Sequence, residues 1–564
     1  MHNGATPTAA GPYVLMTLEC RDYSRSDHFM SAIRCTLALL LAALLMACAG
    51  LPPGADFPKA ASVALAHPKD TRLGRQFAGA SQEHGEYSAF RVISIGADGF
   101  RIRMQMIDAA QQTLDLQYYI FRGDETGRLL TDRLRQAADR GVRIRVLVDD
   151  GDTVAGDEQI LRLLTLPSVE VRIFNPFSYR GHWRALRNLE FVLHRSRLDY
   201  RMHNKLLVVD NAVALIGGRN IGNQYFQIDP ESQFADDDVF SAGPIVTRLS
   251  ATFDEFWNSS LAIPAKALGR TGRPATVVVA HTEHERETPD APKPPPKPGA
   301  IDYASLLTTQ EPYAGIMSGR LPLTWAHAQV VYDSPNKKQV VSGTAPGRLI
   351  TPPVEDAIRA VQSELLLVTP YFIPSADELQ LLKDLRVRKV GVRILTNSLE
   401  SSPEISAQSG YDQYRIPLLQ NGVELYEVRS LLGSTRGSGQ TAKVSRYGNY
   451  ALHGKLYVFD RQKVLIGSMN FDQRSKRINT EIGLIIDSAG LAQQTTLRFD
   501  AMVKPENCYI LELRPPGAAA GSSRLVWRTD EDGHSVEYVR EPARSGWQRF
   551  KVKLLSLLPL GREL

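Results

Sequence analysis

Cysteine is scarce in this chain. Its 564 residues include four, Cys20, Cys35, Cys48 and Cys508, and no two form a CxxC pair. A thiolate metal cluster or a disulfide framework is therefore excluded as an organising feature. No HExxH or HxxEH run occurs and the carboxylates are scattered, so no metal or other cofactor is called for. Mean hydropathy is −0.21, which argues against a multi-span membrane protein. A strong excess of one charge is also missing. The net charge of +5 suits an anionic surface or substrate, but does not by itself indicate nucleic acid. What remains is a globular composition, 43% apolar and 23% charged, in a chain too long for one ordinary domain.

The pronounced apolar stretch lies near the N-terminus. Met30 opens "MSAIRCTLALLLAALLMACAG", with Arg34 as the positive lead and Thr36 to Ala47 as a 12-residue apolar segment. That is short of the roughly 20 residues needed to span a bilayer and fits a secretory signal. It ends in Leu45-Met46-Ala47-Cys48, which resembles a bacterial lipobox and makes Cys48 the expected lipidation site. Met30 is then the expected start, with residues 1–29 spurious, and the chain an exported lipoprotein at the periplasmic face. Ala49 after the cysteine favours outer-membrane sorting. An uncleaved N-terminal anchor is the alternative. Cys508 would be the one thiol left, packed in a core.

Residues 49–85 are rich in Ala and Pro and read as a tether. Periodicity begins near Phe90. "DGFRIRMQMIDAAQQ" reads as helix, "TLDLQYYIF" as strand, "TGRLLTDRLRQAADRG" as a helix closed by Gly141, and "VRIRVLVDD" and "VEVRIFNPF" as strands. This is a βαβ pattern with parallel strands. The second half repeats the order in "SELLLVTPYFIP", "SADELQLLKDLRVRKVG", "VRILTNS" and "VELYEV". His203 and His453, Gly217 and Gly467, and Asn220 and Asn470 are all 250 residues apart, and Gly141 and Gly391 each stand 62 before their histidine. So long a period means two tandem domains. The expected division is 86–265 for the first, a Pro-rich linker over 266–305, 306–505 for the second, and 506–564 for a C-terminal hairpin about Asp532-Gly533 followed by an amphipathic helix. That helix is expected to pack on the second domain; an interfacial membrane helix is the alternative. His281 and His284 read as solvated linker residues, and His182, His194 and His327 as packing or channel-wall residues.

The duplicated stretch carries the chemistry. The first copy runs His203-Asn204-Lys205, four residues, Asp210, six residues, Gly217-Gly218-Arg219-Asn220. The second runs His453-Gly454-Lys455, four, Asp460, six, Gly467-Ser468-Met469-Asn470. On a strand, positions two apart share a face, so each histidine and its lysine emerge side by side. An imidazole beside an ammonium suits phosphoryl-type transfer. Neutral imidazole can attack phosphorus to give a covalent phosphohistidine, and lysine stabilises charge on the non-bridging oxygens. A second histidine can protonate the leaving alkoxide and later deprotonate the incoming hydroxyl. One site then needs two histidines and two lysines, which two repeats facing across a pseudo-two-fold axis supply. Asp210 and Asp460, seven beyond their histidines, fall on the opposite face where the strand should turn, and read as structural.

The pattern HxK-x4-D-x6-G[GS]xN, present twice, resembles the phospholipase D superfamily over about residues 90–500. Asn470-Phe471-Asp472-Gln473-Arg474-Ser475 and Asn479-Thr480-Glu481 resemble its extended motif. "RMHNKLLVVDNAVALIGGRNIGNQYF", "ADDDVFSAGP", "FNPFSYR" and "VVYDSPNKK" resemble most the cardiolipin synthase C type. The resemblance implies an α/β fold of two tandem domains, each a mixed, largely parallel sheet flanked by helices, with the active site between them. It implies His203 as nucleophile, His453 as general acid, Lys205 and Lys455 beside them, and Asn220 and Asn470 on phosphate oxygens. Each histidine needs a carboxylate to fix its tautomer. Glu481 in the second half and Asp238 in the first are the expected partners, with Asp237 a rival because the first half carries an insertion there. The expected activity is phosphatidyl transfer at a membrane surface, making cardiolipin from phosphatidylglycerol and a second phospholipid, phosphatidylethanolamine being a possible donor. Hydrolysis to phosphatidic acid is the first alternative. A nuclease is the second, disfavoured by the modest charge and the export segment.

Overall fold

Ser88–Ile93 (β1), Thr113–Tyr118 (β2), Arg143–Asp149 (β3) and Val169–Phe174 (β4) open the chain's sheet. The computed structural model describes residues 53–151, 163–181, 183–228, 232–268, 313–318, 320–431, 450–515 and 524–557. The expected signal segment with Cys48, the linker beyond Leu268, and His182, His281 and His284 lie outside them. The helix Glu125–Asp139 returns the chain from β2 to β3. Its first turn is capped by Asp124, whose carboxylate accepts the Gly127 N–H, and it stops where Gly141 takes φ of 88°. Leu206–Val209 (β5), Val213–Gly217 (β6), Gln233–Ala235 (β7), Asp238–Ala242 (β8) and Ala262–Pro264 (β9) complete the first half. In space the strands lie β9-β4-β3-β2-β5-β6-β8-β1, with β7 apart.

The second half is Thr324–Tyr332 (β10), Glu364–Val368 (β11), Gly391–Asn397 (β12), Glu424–Val428 (β13), Tyr450–Leu452 (β14), Leu456–Phe459 (β15), Lys463–Gly467 (β16), Ile482–Asp487 (β17) and Cys508–Arg514 (β18), then Arg524–Glu531 (β19) and His534–Tyr538 (β20). β10 joins the halves. Its start pairs with β1 and its remainder with β17, so one 18-stranded sheet runs through both. The fold is α/β and the sheet mixed, as expected. Within this sheet the parallel pairs are those of β2-β3-β4 and β11-β12-β13, the rest being antiparallel; the separate β7–β14 pair is parallel too. A single apolar cluster spans the halves. It joins Val208, Ile216 and Val239 to Val458, Ile466 and Leu484 around the helices Pro244–Trp257 and Ala489–Met502. No helix among the described residues is long and apolar enough to cross a membrane.

Three local expectations change. Residues 49–85 are no tether once the described chain begins. Lys59 donates to the Ser259 and Ala262 carbonyls at 2.6 and 2.9 Å, Arg172 donates to the Ala60 carbonyl, and the helix Arg72–His84 buries Leu73 and Phe77. Arg143, Arg145, Arg172 and Asn211 donate to carbonyls of this strap, so its low periodicity does not imply freedom. The domain end near 505 is also moved. β18 is the edge partner of β13, and the hairpin about Asp532 and Gly533 extends the same sheet. Finally, Gly141 and Gly391 are not equivalents. The left-handed residue ending the second-half helix Ala376–Val387 is Lys389, at φ of 65°, and the N–H after it bonds back to Leu385 as Val142 does to Ala137. The shared spacing of 62 is coincidental there.

Asp210 and Asp460 stand where the β5–β6 and β15–β16 hairpins reverse, at φ of 53° each. Asp210 accepts the N–H groups of Gln111, Gln112 and Thr113 at 2.8 to 3.0 Å, tying the turn to the start of β2. Asp460 does the same for Gln362, Ser363 and Glu364. Asp210 is fully buried whereas Asp460 is partly exposed. Leaving three N–H groups without a partner costs more where water cannot replace it. Asp210→Ala is expected to destabilise by about 3 kcal/mol and Asp460→Ala by about 1 kcal/mol, read from denaturant midpoints. Equal losses would contradict the strut role.

Candidate active site

Each motif histidine is placed by backbone pairing with the opposite half. Met202 forms a parallel bridge to Thr480, and the His203 N–H donates to the Thr480 carbonyl at 2.9 Å. By the same pattern β14 pairs in parallel with β7, and the His453 N–H donates to the Ala235 carbonyl at 2.8 Å. The residue after each acceptor carbonyl is a carboxylate, Glu481 or Asp236. His203 Nδ1 lies 2.9 and 3.1 Å from the Glu481 oxygens, and His453 Nδ1 lies 2.5 Å from Asp236 Oδ2. The two pairs therefore cross the molecule. A carboxylate on Nδ1 fixes the tautomer and leaves Nε2 as the reactive nitrogen of each ring.

Asp238 and Asp237 are corrected by this geometry. Register decides it. Gly217 stands opposite Asp238, and Gly467 opposite Gly483. Counting back two residues makes Asp236, not Asp238, the equivalent of Glu481. Asp238 is fully buried but faces two guanidinium groups, Arg103 at 2.8 Å and Arg219 at 3.0 Å. Asp237 binds the Ser94 hydroxyl and Arg498. The expectation that histidine and lysine sit on a strand is also modified. Residues 203–205 and 453–455 are extended links just before β5 and β15. Each lysine turns its ammonium to its own histidine's carbonyl, which still sets the pair on one side. Lys455 Nζ is 3.2 Å from His453 Nε2.

The two halves support their carboxylates differently. Gly218 leaves no room for a side chain, since a Cβ there would meet Asp236 Oδ1 at 2.1 Å. The matching Ser468 fills that space and donates its hydroxyl to Glu481 at 2.5 Å, with Ser475 donating to the other oxygen at 2.8 Å. Arg219 holds the Asp236 carbonyl and Asp238 together. Where the second half has Met469, the buried pair Lys337–Asp333 does the work. Asp333 accepts the Glu481 N–H at 2.9 Å, and Lys337 binds the Ser475 and Asn479 carbonyls. Asn220 Oδ1 accepts the Ile120 N–H, while its amide nitrogen, and Asn470 Oδ1, are buried with no hydrogen-bond partner among the described residues. Tyr119 lies edge-on to His203 at 5.0 Å, and Phe234 stacks on His453 at 5.2 Å.

Burial and two nearby ammonium groups dominate the electrostatics. Burial, then Lys205 and Lys455, hold His203 well below the usual imidazole value. Burial and Lys455 bring His453 down to about 3 against the opposing pull of Asp236. Burial lowers Lys205 and takes Lys455 to about 8. The carboxylates diverge. Burial pushes Glu481 up to about 7, only partly opposed by Lys205 and the serine hydroxyls. At Asp236 burial is outweighed by His453, Lys455 and Arg219, which hold the carboxyl below its ordinary value.

Asp236, Ser468, Ser475, Asp333 and Lys337 were not legible as site residues. For Asp236 a usable signal exists: aligning the apolar run after "ADDD" with that after "NTEIG" by length, rather than matching acid to acid, selects it. Gly218→Ala is expected to cost about 1–3 kcal/mol of stability by overpacking against Asp236. Gly454→Ala, whose Cβ would meet its nearest atom at 3.3 Å, is expected to cost less. Chemical denaturation of both variants checks this, and a Gly218→Ala protein as stable as the parent would contradict the packing.

The "Cardiolipin synthase, PLD-like domain" family model matches residues 104–257 and 354–503. Cardiolipin synthase C of Escherichia coli (strain K12) is 35% identical over 490 residues, covering 85% of this chain and 97% of that protein. The major cardiolipin synthase ClsA of Bacillus subtilis (strain 168) is 24% identical, covering 76% and 72%. Among solved structures, phosphatidylserine synthase of Haemophilus influenzae Rd KW20 shares the fold, with a TM-score of 0.50 at 13% identity over 78% of this chain and 92% of that one. With its doubled histidine–lysine constellation assembled across two such domains, the chain belongs to the cardiolipin synthase family of phospholipase D-like proteins.

Proposed function

We propose that this protein is a phosphatidyltransferase that makes cardiolipin through a phosphatidyl-histidine intermediate. His203 Nε2 attacks the phosphorus of one phospholipid, a P–N bond forms, and the P–O bond to the head-group alcohol breaks. His453 delivers the proton to the departing oxygen. The glycerol hydroxyl of phosphatidylglycerol then gives its proton to His453 and attacks phosphorus, releasing His203. Lys205, Lys455, Asn220 and Asn470 hold the non-bridging oxygens; the buried Asn220 Nδ2, a donor with no hydrogen-bond partner among the described residues, is suited to one of them.

The observation that carries the mechanism is the pair of crossed contacts, which put a carboxylate on each Nδ1 and leave both Nε2 atoms for chemistry. The division of roles, His203 as nucleophile and His453 as general acid, follows the family resemblance. Burial raises Glu481, whereas His453, Lys455 and Arg219 hold Asp236 low, so the firmer anion stands behind the ring that must become imidazolium. The unloaded site disfavours that cation because two ammonium groups crowd it. A bound phosphodiester brings a negative charge that offsets them, so His453 gains proton affinity when substrate arrives. The donor is phosphatidylglycerol or phosphatidylethanolamine; the resemblance to the C type favours the latter. The same reading has the chain exported and lipidated at Cys48, which the mass of its mature N-terminus tests; a mature chain beginning at Met1 excludes it.

The direct experiment incubates purified protein with labelled phosphatidylglycerol and phosphatidylethanolamine and separates the products. Cardiolipin is expected; phosphatidic acid as the sole product would replace transfer by hydrolysis. His203→Ala and His453→Ala should each lower turnover by about a thousandfold or more. Asp236→Asn should lower it by about 10–100-fold with little loss of thermal stability. Asp238→Asn should chiefly lower stability, since it releases two buried guanidinium groups. The reverse ranking of the two aspartates would contradict the assignment.

A further inference from the structure

The helix Arg184–Leu193 buries none of its residues, although large apolar side chains crowd it. Trp183, Leu186, Leu189, Val192 and Leu193 are 70, 42, 52, 69 and 49% exposed. At 3.6 residues per turn, Leu186, Leu189 and Leu193 share one face, with Trp183 and Val192 at its edges. The opposite face belongs to the protein. Arg187 donates to the Asp150 carbonyl and lies 3.9 Å over the Phe177 ring. Arg187, Asn188 and Phe191 wall a pocket of about 290 Å3 shared with Tyr119, Arg201 and Arg474. Tyr119 is the ring edge-on to His203. The helix thus walls the pocket beside Tyr119, one ring away from His203, with its apolar face outward.

Two further observations identify what covers that face. Cations border it: Arg195, Lys338 and Arg477 line an adjoining pocket, whose one acid, Asp199, is already paired with Arg474 at 2.8 Å. The second half also carries an apolar-faced helix at the corresponding place. Gly546–Leu555 is held just past the end of β12, where Gln548 donates to the Leu399 carbonyl at 2.7 Å, as Arg187 is held just past β3. It leaves Trp547, Phe550 and Leu554 at 62, 53 and 55% exposure. A ten-residue helix, about 15 Å by 10 Å, offers on the order of 150 Å2, well below the roughly 800 Å2 per partner of a stable protein interface. An apolar stripe edged by tryptophan and cations fits the boundary of an anionic bilayer.

We propose that the Trp183–Leu193 face docks on an anionic phospholipid bilayer and sets the mouth of the pocket beside Tyr119, next to His203, at head-group level. This rests on the phosphatidyl-transfer reading. The test compares the full chain with the triple variant Leu186→Ser, Leu189→Ser, Leu193→Ser on two forms of phosphatidylglycerol: bilayer vesicles, and a short-chain form kept monomeric in water. On vesicles the variant is expected to lose about tenfold in activity, while its activity on monomeric lipid stays unchanged. The corresponding triple Met variant should retain both. Equal vesicle activity overturns the docking, and so does an equal loss on both substrates, which would make the helix only a wall of the pocket. A second reading is independent of turnover. Phosphatidylglycerol vesicles should shift the tryptophan emission of the parent to the blue, and Trp183→Phe should diminish that shift. If the parent makes no product from either lipid form, with phosphatidylethanolamine supplied as donor, phosphatidyl transfer fails, and the emission difference alone decides docking: a shift unchanged by Trp183→Phe refutes it.

Discussion

Everything in the site depends on two buried imidazole–carboxylate contacts that cross between the halves. His203 takes its carboxylate from Glu481 and His453 from Asp236. Neither half alone orients its own histidine. The backbone explains why: one parallel bridge at Met202 and Thr480, and one short ladder at β7 and β14, bring each histidine into line with the other half's acid. The duplication is therefore a geometric requirement as well as a supply of two histidines. A buried carboxylate without such a partner would be costly, so the crossed contacts also bind the halves into one structure, beside the apolar cluster they share.

The two contacts differ in their surroundings. The halves keep equivalent backbones but surround their acids differently. Asp236 sits against His453 and Lys455 and below Arg219, in the space that Gly218 leaves. Glu481 sits among neutral hydroxyls and a lysine, behind a Lys337–Asp333 pair that already neutralises itself. A symmetric fold thereby acquires one firm anion and one soft one, the difference on which the proposed division into general acid and nucleophile draws.

Much of this was legible in the sequence, and the gaps have physical causes. The strands, the helices between them and the duplication follow from periodicity and from repeated spacing. His203, Lys205, Asn220 and their counterparts stand out because a rare residue set recurs at fixed intervals. Asp210 and Asp460 are legible as struts because strand parity turns them from the histidines. Asp236 was hidden within three consecutive aspartates, where only the pairing register of Gly217 and Gly467 tells one carboxylate from the next. Residues 53–85 appeared unstructured because hydrogen bonds from distant side chains, which leave no periodic trace, hold them. The spacing of Gly391 misled for the opposite reason: a matching interval fell on a residue whose backbone role is carried by Lys389.

The most direct measurement of the central claim is rapid quenching of the parent protein after mixing with phosphatidylglycerol and phosphatidylethanolamine, each labelled in its phosphate, under conditions that preserve phosphohistidine, followed by peptide mapping. Label on the peptide containing His203 is the predicted result. Label on neither histidine peptide, or on the His453 peptide, would contradict a covalent intermediate at His203.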